Sequence, residues 1–453
     1  MRIHFIAIGG SAMHNLAIAL KENNYIITGS DDEIFEPSRS RLLKHGLLPE
    51  KQGWNPDCIT NKIDAVILGM HARKDNPELL RALELGIKVY SYPEYIYKSS
   101  VDKMRVVIAG SHGKTTVTSM VMHALKENNI DFDYLVGAQL EGFDTMVRIS
   151  ESAKIVVLEG DEYLSSPIDL KPKFLWYKPH IALITGIAWD HVNVFPSIKI
   201  YNEQFRLFVN SIFDNGYLTW FSGDKTLQKL LSDYKGVFNL EAYEGFDTEV
   251  VSGNTQVLHK NKSYPVTVFG SHNMQNMAGA MNICRQLGLS DTQFLASMST
   301  FKGAARRLQV LRQNGHSAVY YDFAHAPSKL KATINAVKEQ FPARRLVACM
   351  ELHTFSSLNK DFLPQYFNTM EKADRALVFY NPNVLEHKKL SPLTASEVAE
   401  AFNLEESSIV TSAVDLLENL RNEKLINTNV LVMSSGNLGG IDIKEWAETL
   451  DIE

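Results

Sequence analysis

The sequence predicts an α/β fold of three domains, of which the first and the last are Rossmann-like and the central one is built on a glycine loop between a strand and a helix. Short apolar runs rich in β-branched residues alternate with stretches of helical periodicity, which is typical of parallel sheets covered by helices. The glycine loop stands within residues 105–116. The length of 453 residues suggests about three domains. We place them at residues 1–101, 102–312 and 313–453.

The first block opens with a strand over residues 3–8, the turn Gly9-Gly10-Ser11 and a helix to about Asn23. Further apolar runs predict strands at 25–28, 65–68 and 87–90. The dinucleotide fingerprint Gly-x-Gly-x-x-Gly is present only as Ala7-x-Gly9-x-x-Ala12, with Asp31 at about the expected distance. The pattern favours a diphosphate site over a dinucleotide site, and a tight glycine turn with a packing role alone is the alternative.

The second block begins with the apolar run Val106-Val107-Ile108 and the loop Gly110-Ser111-His112-Gly113-Lys114-Thr115, followed by a helical pattern. Backbone N–H groups of such a loop face nucleotide phosphates, Lys114 adds charge and Thr115 can ligate Mg²⁺. Ile108 stands where the strict Walker pattern has its first glycine, so this is a shorter form of the motif. An ordinary glycine turn before a helix is the alternative.

Acidic residues and a histidine follow two further predicted strands. Residues 155–158 lead into Glu159-Gly160-Asp161-Glu162, and residues 181–184 lead towards Asp190-His191. In an open parallel sheet these strand ends are where Mg²⁺ ligands beside a phosphate loop must lie. Without the glycine loop at 110–115, the acidic stretch would be interpreted as a solvated loop, and Asp190-His191 as surface residues without a functional role.

The rest of the chain changes pattern twice. Short alternating segments cover about 212–269, and a helix containing Asn276 follows Gly270-Ser271-His272-Asn273, which also fits an ordinary N-cap. Arg306-Arg307 closes the second block. Residues 313–453 predict a third α/β unit with strands at 318–322, 345–350, 376–379 and 430–433.

Composition narrows the class of protein. The net charge is −6 and no lysine/arginine block occurs, which argues against nucleic acid as the main partner. The three cysteines are far apart and lack metal-site spacing, which favours a reduced, cytoplasmic protein. No apolar run reaches the length of a membrane span, and the apolar start lacks a signal-peptide cleavage pattern.

The ordered motifs at 110–116, 159–162, 190–191, 272–276, 306–307 and 322–325 resemble the signature of the Mur ligases, the ATP-dependent amide-forming enzymes of peptidoglycan assembly. The resemblance covers essentially the whole chain. It implies a first domain for a UDP-linked substrate, a central P-loop ATPase domain and a C-terminal domain for the acceptor.

The resemblance also implies roles for individual residues. Lys114 would offset charge on the transferring phosphoryl group, Thr115, Glu159 and His191 would hold Mg²⁺, and Arg307 would reach the γ-phosphate. The catalytic set is Lys114, Glu159, His191 and Arg307. The implied ATP-binding residues are Gly110, Ser111, His112, Gly113, Lys114, Thr115, Thr116, Asn276 for the base, Arg307, and Asp322 for the ribose. The residues implied for the UDP substrate are Gly9, Gly10, Ser11, Ala12, Met13, Ser30, Asp31, His71 and Asn76.

The family resemblance implies ATP and Mg²⁺ as cofactors and small molecules as partners. The first block is similar to that of the branch that uses UDP-N-acetylmuramate. One enzyme of this branch adds L-alanine, and the other attaches the tripeptide L-alanyl-γ-D-glutamyl-meso-diaminopimelate. Both reactions pass through an acyl phosphate, and His191 and His325 are candidates for accepting the amine proton.

Two departures from the family bear on the acceptor. Arg206 occupies the position at which several members carry a carbamylated lysine, in agreement with the UDP-N-acetylmuramate branch. Residues 351–359 lack the arginine that the alanine-adding enzyme carries there. A free amino acid needs a cation near its carboxylate, so we expect the tripeptide as acceptor, with L-alanine as the alternative.

Three other classes of protein remain open at this stage. A nicotinamide-dependent oxidoreductase would explain residues 1–101 but leave the loop at 110–115 without a role. A nucleotide-regulated binding protein would explain the loop but not Glu159, His191 and Arg307 together. Folate polyglutamylating enzymes share the ATPase core but are not expected to carry the extra first block.

Overall fold

The computed structural model describes residues 1–232, 234, 236–251, 254–421 and 425–450. The chain forms two compact units. The first consists of Met1–Ile187, Asn202–Glu244 and Gly279–Ser297, and the second of Ala188–Tyr201, Gly245–Ala278 and the chain from Met298 onwards.

The chain begins with a four-stranded parallel sheet in the order β2-β1-β3-β4. Its strands are β1 (Arg2–Ile6), β2 (Ile26–Ser30), β3 (Ala65–Leu68) and β4 (Val89–Ser91), and its helices are α1 (Ser11–Glu22), α2 (Ser38–Lys44), α3 (Pro77–Glu84) and α4 (Tyr92–Lys98). All four residues of β3 are buried, as expected for a parallel strand covered on both faces. The predicted parallel sheet of the first block is therefore present.

The second sheet has the order β11-β10-β9-β5-β8-β6-β7, and β7 is antiparallel to its neighbour. Its strands are β5 (Met104–Ala109), β6 (Asp133–Leu135), β7 (Val147–Arg148), β8 (Ile155–Glu159), β9 (Ile181–Ile184), β10 (Tyr217–Phe221) and β11 (Asn239–Tyr243). The helices of this part of the chain are α5 (Lys114–Glu127), α6 (Ile198–Val209), α7 (Lys225–Ser232), α8 (Ser271–Gln286) and α9 (Asp291–Met298). Strand β5 lies between β8 and β9, so the glycine loop that follows it begins in the middle of the sheet.

Two further sheets belong to the second unit. A small antiparallel sheet contains β12 (Asp247–Val251), β13 (Asn254–His259) and β14 (Lys262–Val266). The other has the order β15-β16-β20-β17-β18-β19 and contains β15 (Gln309–Gln313), β16 (Ala318–Asp322), β17 (Arg345–Leu352), β18 (Arg375–Tyr380), β19 (Ile409–Val410) and β20 (Thr428–Met433). Its helices are α10 (Pro327–Gln340), α11 (Pro382–His387), α12 (Ala395–Phe402), α13 (Ala413–Arg421) and α14 (Ile443–Thr449).

The six-stranded sheet is buried on both faces. Along β17, Leu346, Ala348 and Met350 pack into one apolar cluster, whereas Val347 and Cys349 pack into another. Side chains of a strand point alternately to the two faces of its sheet. The continuous apolar run of β17 is therefore explained by helices covering both faces, and these sheets confirm the predicted α/β class.

Arg105 anchors the connection between the first and second sheets. It is 1% exposed, and its guanidinium donates hydrogen bonds to the carbonyl groups of Ser100, Val101 and Lys103 at 2.7, 3.0 and 3.2 Å. It also donates to the carbonyls of Tyr177 and Lys178 at 2.8 and 3.1 Å. Five carbonyls thus satisfy one buried cation.

No helix in the described ranges is long and apolar enough to cross a membrane.

Candidate functional site

The glycine loop joins β5 to α5 and adopts backbone angles that require glycine at two positions. Gly110 has φ +126°, and a Cβ atom there would lie 2.1 Å from Thr185 Oγ1. Gly113 has φ +73° and caps the first turn of α5. The Ser111 N–H donates to the carbonyl of Gly186 at 2.9 Å, and the Thr185 hydroxyl donates to the carbonyl of His112. The loop is therefore held against the residues that follow β9, the neighbour of β5 in the second sheet.

Lys114 is the first residue of α5 and is paired on both sides. Its Nζ donates to the Gly110 carbonyl at 2.6 Å and to Glu162 Oε2 at 2.7 Å. The Lys114 side chain is 14% exposed and that of Glu162 is 1% exposed. Burial alone would lower the pKa of Lys114, but the carboxylates of Glu162 and Asp161 outweigh it and raise the pKa. Lys114 is therefore a permanent cation at the mouth of the loop.

Thr115, the residue after Lys114, and Glu159 bring a hydroxyl and a carboxylate together. The Thr115 hydroxyl donates to Glu159 Oε1 at 2.7 Å, and the Gly137 N–H donates to Glu159 Oε2 at 2.6 Å. Thr116 is buried in the same turn. Mg²⁺ prefers oxygen ligands, often a carboxylate and a hydroxyl beside nucleotide phosphates. Thr115 and Glu159 fit this preference.

His191 lies in the second unit, next to a buried carboxylate. It has φ +55°, and its N–H donates to Asp190 Oδ1 at 2.7 Å. Asp190 Oδ2 lies 3.9 Å from Lys329 Nζ and 4.0 Å from His325 Nε2. Burial alone would raise the pKa of Asp190, but Lys329 and His191 outweigh it and lower the pKa well below its usual range.

His325 is neutral at physiological pH. Burial, together with the charge of Lys329, lowers its pKa to about 3. Its Nδ1 lies 2.9 Å from the Phe323 carbonyl, and its own carbonyl accepts a hydrogen bond from the Tyr366 hydroxyl. A group with so low a pKa is a weak proton acceptor for an amine whose ordinary pKa is about 8.

Arg307 and Asp322 are brought together in the second unit. The Asp322 carboxylate accepts the N–H groups of Leu308 at 2.6 Å and Ala324 at 2.7 Å, which anchors the turn that follows Arg307. The Arg307 guanidinium lies 4.9 Å from the centre of the Phe323 ring. Arg306 and Leu308 both have positive φ, of +57° and +45°. Such angles are uncommon outside glycine and cluster at functional sites.

The helix that carries Asn276 also carries a histidine that our residue assignments omitted. Asn276 is 5% exposed on α8. One turn earlier, the buried Nδ1 of His272 has no hydrogen-bond partner among the described residues. Burial lowers the pKa of His272, against the charges of Asp322 and Glu339. The only sequence signal for this residue was its place in the motif His272-Asn273-x-x-Asn276.

The residues predicted for the UDP substrate occupy two kinds of position. Gly9 donates its N–H to Asp31 Oδ2 at 2.6 Å, and Gly10, Ser11, Ala12 and Met13 form the beginning of α1. Burial raises the pKa of Asp31 to about 6. Away from this turn, Ser30 contacts His4, Asn76 caps α3, and His71 is exposed. The turn and Asp31 form one group, whereas Ser30 and Asn76 are engaged in the packing of the first sheet.

The two departures from the family pattern differ in their surroundings. Arg206 lies on α6, is 54% exposed and pairs with Glu203, with Nε and Oε2 2.7 Å apart. Glu351, which begins the segment without arginine, is 2% exposed and accepts a hydrogen bond from the Ser434 hydroxyl. Arg206 is thus a surface residue, whereas the segment at 351–359 begins with a buried residue near the end of β17.

A cavity of about 260 Å³ opens within the second unit beside this segment. Its lining includes the amide side chains of Asn193, Asn359 and Gln365, the carboxylate of Asp361 and the ring of Phe355, and no lysine or arginine is among its described lining residues. Lys388 Nζ lies 4.3 Å from the centre of the Phe355 ring. Amide and carboxylate residues are thus among the described lining residues of the cavity, and Lys388 contacts the lining residue Phe355 without being a lining residue itself.

A parallel sheet with a glycine loop, a buried lysine and a hydroxyl–carboxylate pair at its carboxyl edge defines a nucleotide-phosphate-binding α/β protein. Family models match along the chain: the catalytic domain of the Mur ligase family at residues 2–100, the Mur ligase middle domain at 108–284, and the Mur ligase glutamate ligase domain at 306–436.

Individual relatives cover most of the chain. A UDP-N-acetylmuramate–L-alanine ligase from Clostridium kluyveri is 30% identical over 392 residues, or 82% of each chain. A UDP-N-acetylmuramate–L-alanyl-γ-D-glutamyl-meso-2,6-diaminoheptandioate ligase from Haemophilus influenzae is 26% identical over 98% of each chain. The solved structure of a murein peptide ligase from Psychrobacter arcticus has a TM-score of 0.70, 22% identity and full coverage of both chains.

The chain belongs to the Mur ligase family. It therefore has the three-domain family architecture and is an ATP-dependent, ADP-forming ligase that makes amide bonds in peptidoglycan precursors, as the resemblance implied. Among the alternatives, the oxidoreductase, the non-catalytic binding protein and the folate-type enzyme are set aside.

Proposed function

We propose that this ligase joins the carboxylate of UDP-N-acetylmuramate to the free amine of L-alanyl-γ-D-glutamyl-meso-diaminopimelate. The alternative acceptor is free L-alanine, because relatives named for each reaction cover more than four fifths of the chain. The difference between the two activities is confined to the acceptor.

The observation that carries the proposal is the lining of the 260 Å³ cavity beside residues 351–359. A free amino acid exposes its carboxylate next to the reacting amine and requires a cation there. Asn193, Asn359 and Gln365 instead present amide groups, which match the backbone amides of a peptide. The carboxylate of Asp361 suits a cationic amine such as the distal one of diaminopimelate.

For ATP we propose the residues that the family resemblance implied. Backbone N–H groups at 110–116 would bind the phosphates, and the Lys114 cation would offset the charge of the transferring γ-phosphoryl group. Asn276 would orient the base, Asp322 the ribose, and Arg307 would reach the γ-phosphate. The backbone strain on either side of Arg307 supports a functional position for this side chain.

For Mg²⁺ we propose the ligands that the family resemblance implied, which are Thr115, Glu159 and His191. The ion supplies electrostatic stabilisation of phosphate charge when it is bound. The hydroxyl–carboxylate pair at 2.7 Å supports this assignment for the first two residues.

The reaction proceeds in two steps. A carboxylate oxygen of the muramate attacks the γ-phosphorus and ADP departs, which leaves an acyl phosphate. The acceptor amine then attacks the acyl carbon, phosphate departs, and the amine loses a proton. Of the two histidines considered as proton acceptors, the low pKa of about 3 disfavours His325.

For the UDP moiety we propose the turn at Gly9–Met13 with Asp31, within a first domain of residues 1–101. The second and third domains are proposed at 102–312 and 313–453. The boundary at 312 falls inside β15, which pairs with β16 of the proposed third domain, so we expect the junction between the second and third domains before residue 309.

The test is ADP release with ATP, Mg²⁺ and UDP-N-acetylmuramate, with either the tripeptide or L-alanine added. We expect turnover with the tripeptide, and Asp361→Asn should raise the KM for the tripeptide about tenfold because a charge-assisted contact of roughly 1.4 kcal/mol is lost. The exposed Asp57→Asn is the matched control, with unchanged KM.

Turnover with L-alanine alone would replace the proposal by the alternative. Turnover with the tripeptide but an unchanged KM in Asp361→Asn would reject the role of Asp361 and leave the acceptor assignment standing.

A further inference from the structure

A histidine, a cysteine and a glutamate converge in the first unit, within the block 1–101. His4 lies in β1, Cys58 ends the short 3₁₀ helix Pro56–Cys58, and Glu78 lies in the first turn of α3. His4 is 2% exposed and Glu78 0%, whereas Cys58 is exposed. The three side chains thus form a cluster that is closed on the protein side and open to solvent at the thiol.

The spacing of the three donor atoms matches a metal site. His4 Nε2 lies 3.2 Å from Glu78 Oε2, and Cys58 Sγ lies 3.9 Å from His4 Nε2. Cys58 Sγ also lies 3.9 Å from the other carboxylate oxygen, Glu78 Oε1. Tetrahedral zinc, with bonds of about 2.0–2.3 Å to nitrogen, oxygen and sulfur, requires ligand atoms about 3.3–3.6 Å apart. One ligand atom from each of the three side chains lies within 4.8 Å of the other two, so small side-chain rotations would place an ion at bonding distance from all three.

Neighbouring groups orient the donors as metal ligands usually require. The Thr28 hydroxyl lies 2.9 Å from His4 Nδ1, which leaves Nε2 facing the cluster. The Asn55 N–H donates to Glu78 Oε1 at 2.7 Å. Hydrogen bonds of this kind fix the ring and carboxylate orientation in metal sites, and their loss weakens metal binding.

We propose that His4, Cys58 and Glu78 bind a thiophilic divalent cation of the zinc class, with water as the fourth ligand. Thiolate, imidazole and carboxylate together select such an ion over Mg²⁺, which prefers oxygen ligands alone. This site is distinct from the Mg²⁺ site proposed at Thr115 and Glu159. On binding, one proton leaves the Cys58 thiol for solvent and the sulfur bonds to the ion.

The ion links three segments that are distant in sequence. β1, the segment ending at Cys58 and the start of α3 otherwise meet at this point only through hydrogen bonds and side-chain packing. A ligand that binds the folded state alone raises stability by mass action, so zinc should stabilise the first sheet.

The test is a Co²⁺ titration of the full chain after removal of metal by a chelator. We expect thiolate-to-cobalt charge-transfer absorption in the near ultraviolet that saturates at a single equivalent and disappears when Zn²⁺ is added. Cys58→Ser should abolish this absorption, and His4→Gln should weaken zinc binding by at least tenfold, measured by competition with a chromophoric chelator. Because Cys58 is exposed, its serine variant is expected to fold.

Asp57→Asn, which removes the neighbouring exposed carboxylate, is the control and should keep the absorption. Zinc should also raise the unfolding temperature of the parent chain but not of Cys58→Ser. Absence of the absorption in the parent chain would overturn the proposal, as would absorption that persists in Cys58→Ser. ADP release is not the readout, so failure here is separate from failure of the proposed ligase reaction.

Discussion

Lys114 and Glu162 form an ion pair that is nearly closed to solvent, with 14% and 1% of their side chains exposed. Removing one partner of such a pair leaves an uncompensated buried charge, which costs far more than the pair itself contributes. The pair therefore couples the charge needed at the phosphate loop to the stability of the second sheet.

Lys114→Met should lower kcat for ADP release by about two to three orders of magnitude, because a fixed cation at the transferring phosphoryl group is lost. It should also lower the free energy of unfolding by about 3 kcal/mol, because Glu162 stays buried without its cation. The double variant Lys114→Met/Glu162→Gln should recover most of this stability and none of the activity. Equal loss of stability in both variants would contradict the coupling. Steady-state kinetics and urea unfolding measure the two effects.

The partner of Lys114 could not have been identified from the sequence. Glu159 ends β8 and Asp161 and Glu162 follow it, so the turn after the strand decides where the last two side chains point. The structure directs Glu159 to Thr115 and Glu162 to Lys114. From the sequence, Lys114 was expected at the phosphates and Thr115 with Glu159 at Mg²⁺, whereas the ion pair of Lys114 with Glu162 is apparent only in the structure.

At the scale of the element, the phosphate loop has its shape because the strand β5 ends in the middle of the second sheet. The loop is held by hydrogen bonds to Thr185 and Gly186, which follow the neighbouring strand β9. The close approach of Gly110 to Thr185 leaves no space for a side chain.

Gly110→Ala should therefore reduce both the free energy of unfolding and ATP binding. Gly288→Ala is the matched control, because Gly288 also has a positive φ, of +91°, but nothing lies within 4 Å of its added Cβ. We expect the control to lose about 1–2 kcal/mol from backbone strain alone, and Gly110→Ala to lose at least about twice as much. Urea unfolding and nucleotide titration are the measurements. Equal losses would show that crowding at Thr185 is unimportant.

Helices and parallel strands could be predicted wherever the pattern of apolar residues was compatible with only one type of secondary structure. The strands at 65–68, 181–184 and 318–322 were expected at the residues where they are found, because β-branched apolar runs in buried parallel strands leave little choice. The antiparallel strands β12–β14 are short and mostly exposed, so no apolar run indicated them. Short alternating segments were expected as far as about residue 269, and the last strand of this region is β14 at Lys262–Val266, where pairing with β13 decides its bounds.

At the scale of the whole molecule, buried histidines link stability to pH. Burial lowers the pKa of His325 to about 3 and the pKa of His14 to about 4. Both folded-state values lie below the ordinary value of 6.5, so between these limits the unfolded chain binds protons that the folded chain does not. This contribution to stability is present above pH 6.5 and is lost as the pH falls.

The unfolding temperature should therefore decrease as the pH is lowered from 7 to about 4. His325→Asn should show a shallower decrease over the same range, because one of the two imidazoles whose pKa is lowered to about 3 or 4 is removed. The exposed His316→Gln is the control and should follow the parent chain. Scanning calorimetry at a series of pH values provides the measurement, and parallel curves for all three proteins would contradict this origin of the dependence.

The arginine that binds five carbonyls has a mechanical consequence. Because Arg105 fastens residues 100–103 to the segment at 177–178, the chain between the first two sheets cannot lengthen or rotate without breaking several hydrogen bonds to one buried cation. The connection between the first two sheets is therefore expected to be rigid and not to act as a hinge. A force applied to the first sheet is transmitted to the strand that precedes the phosphate loop before the junction itself extends.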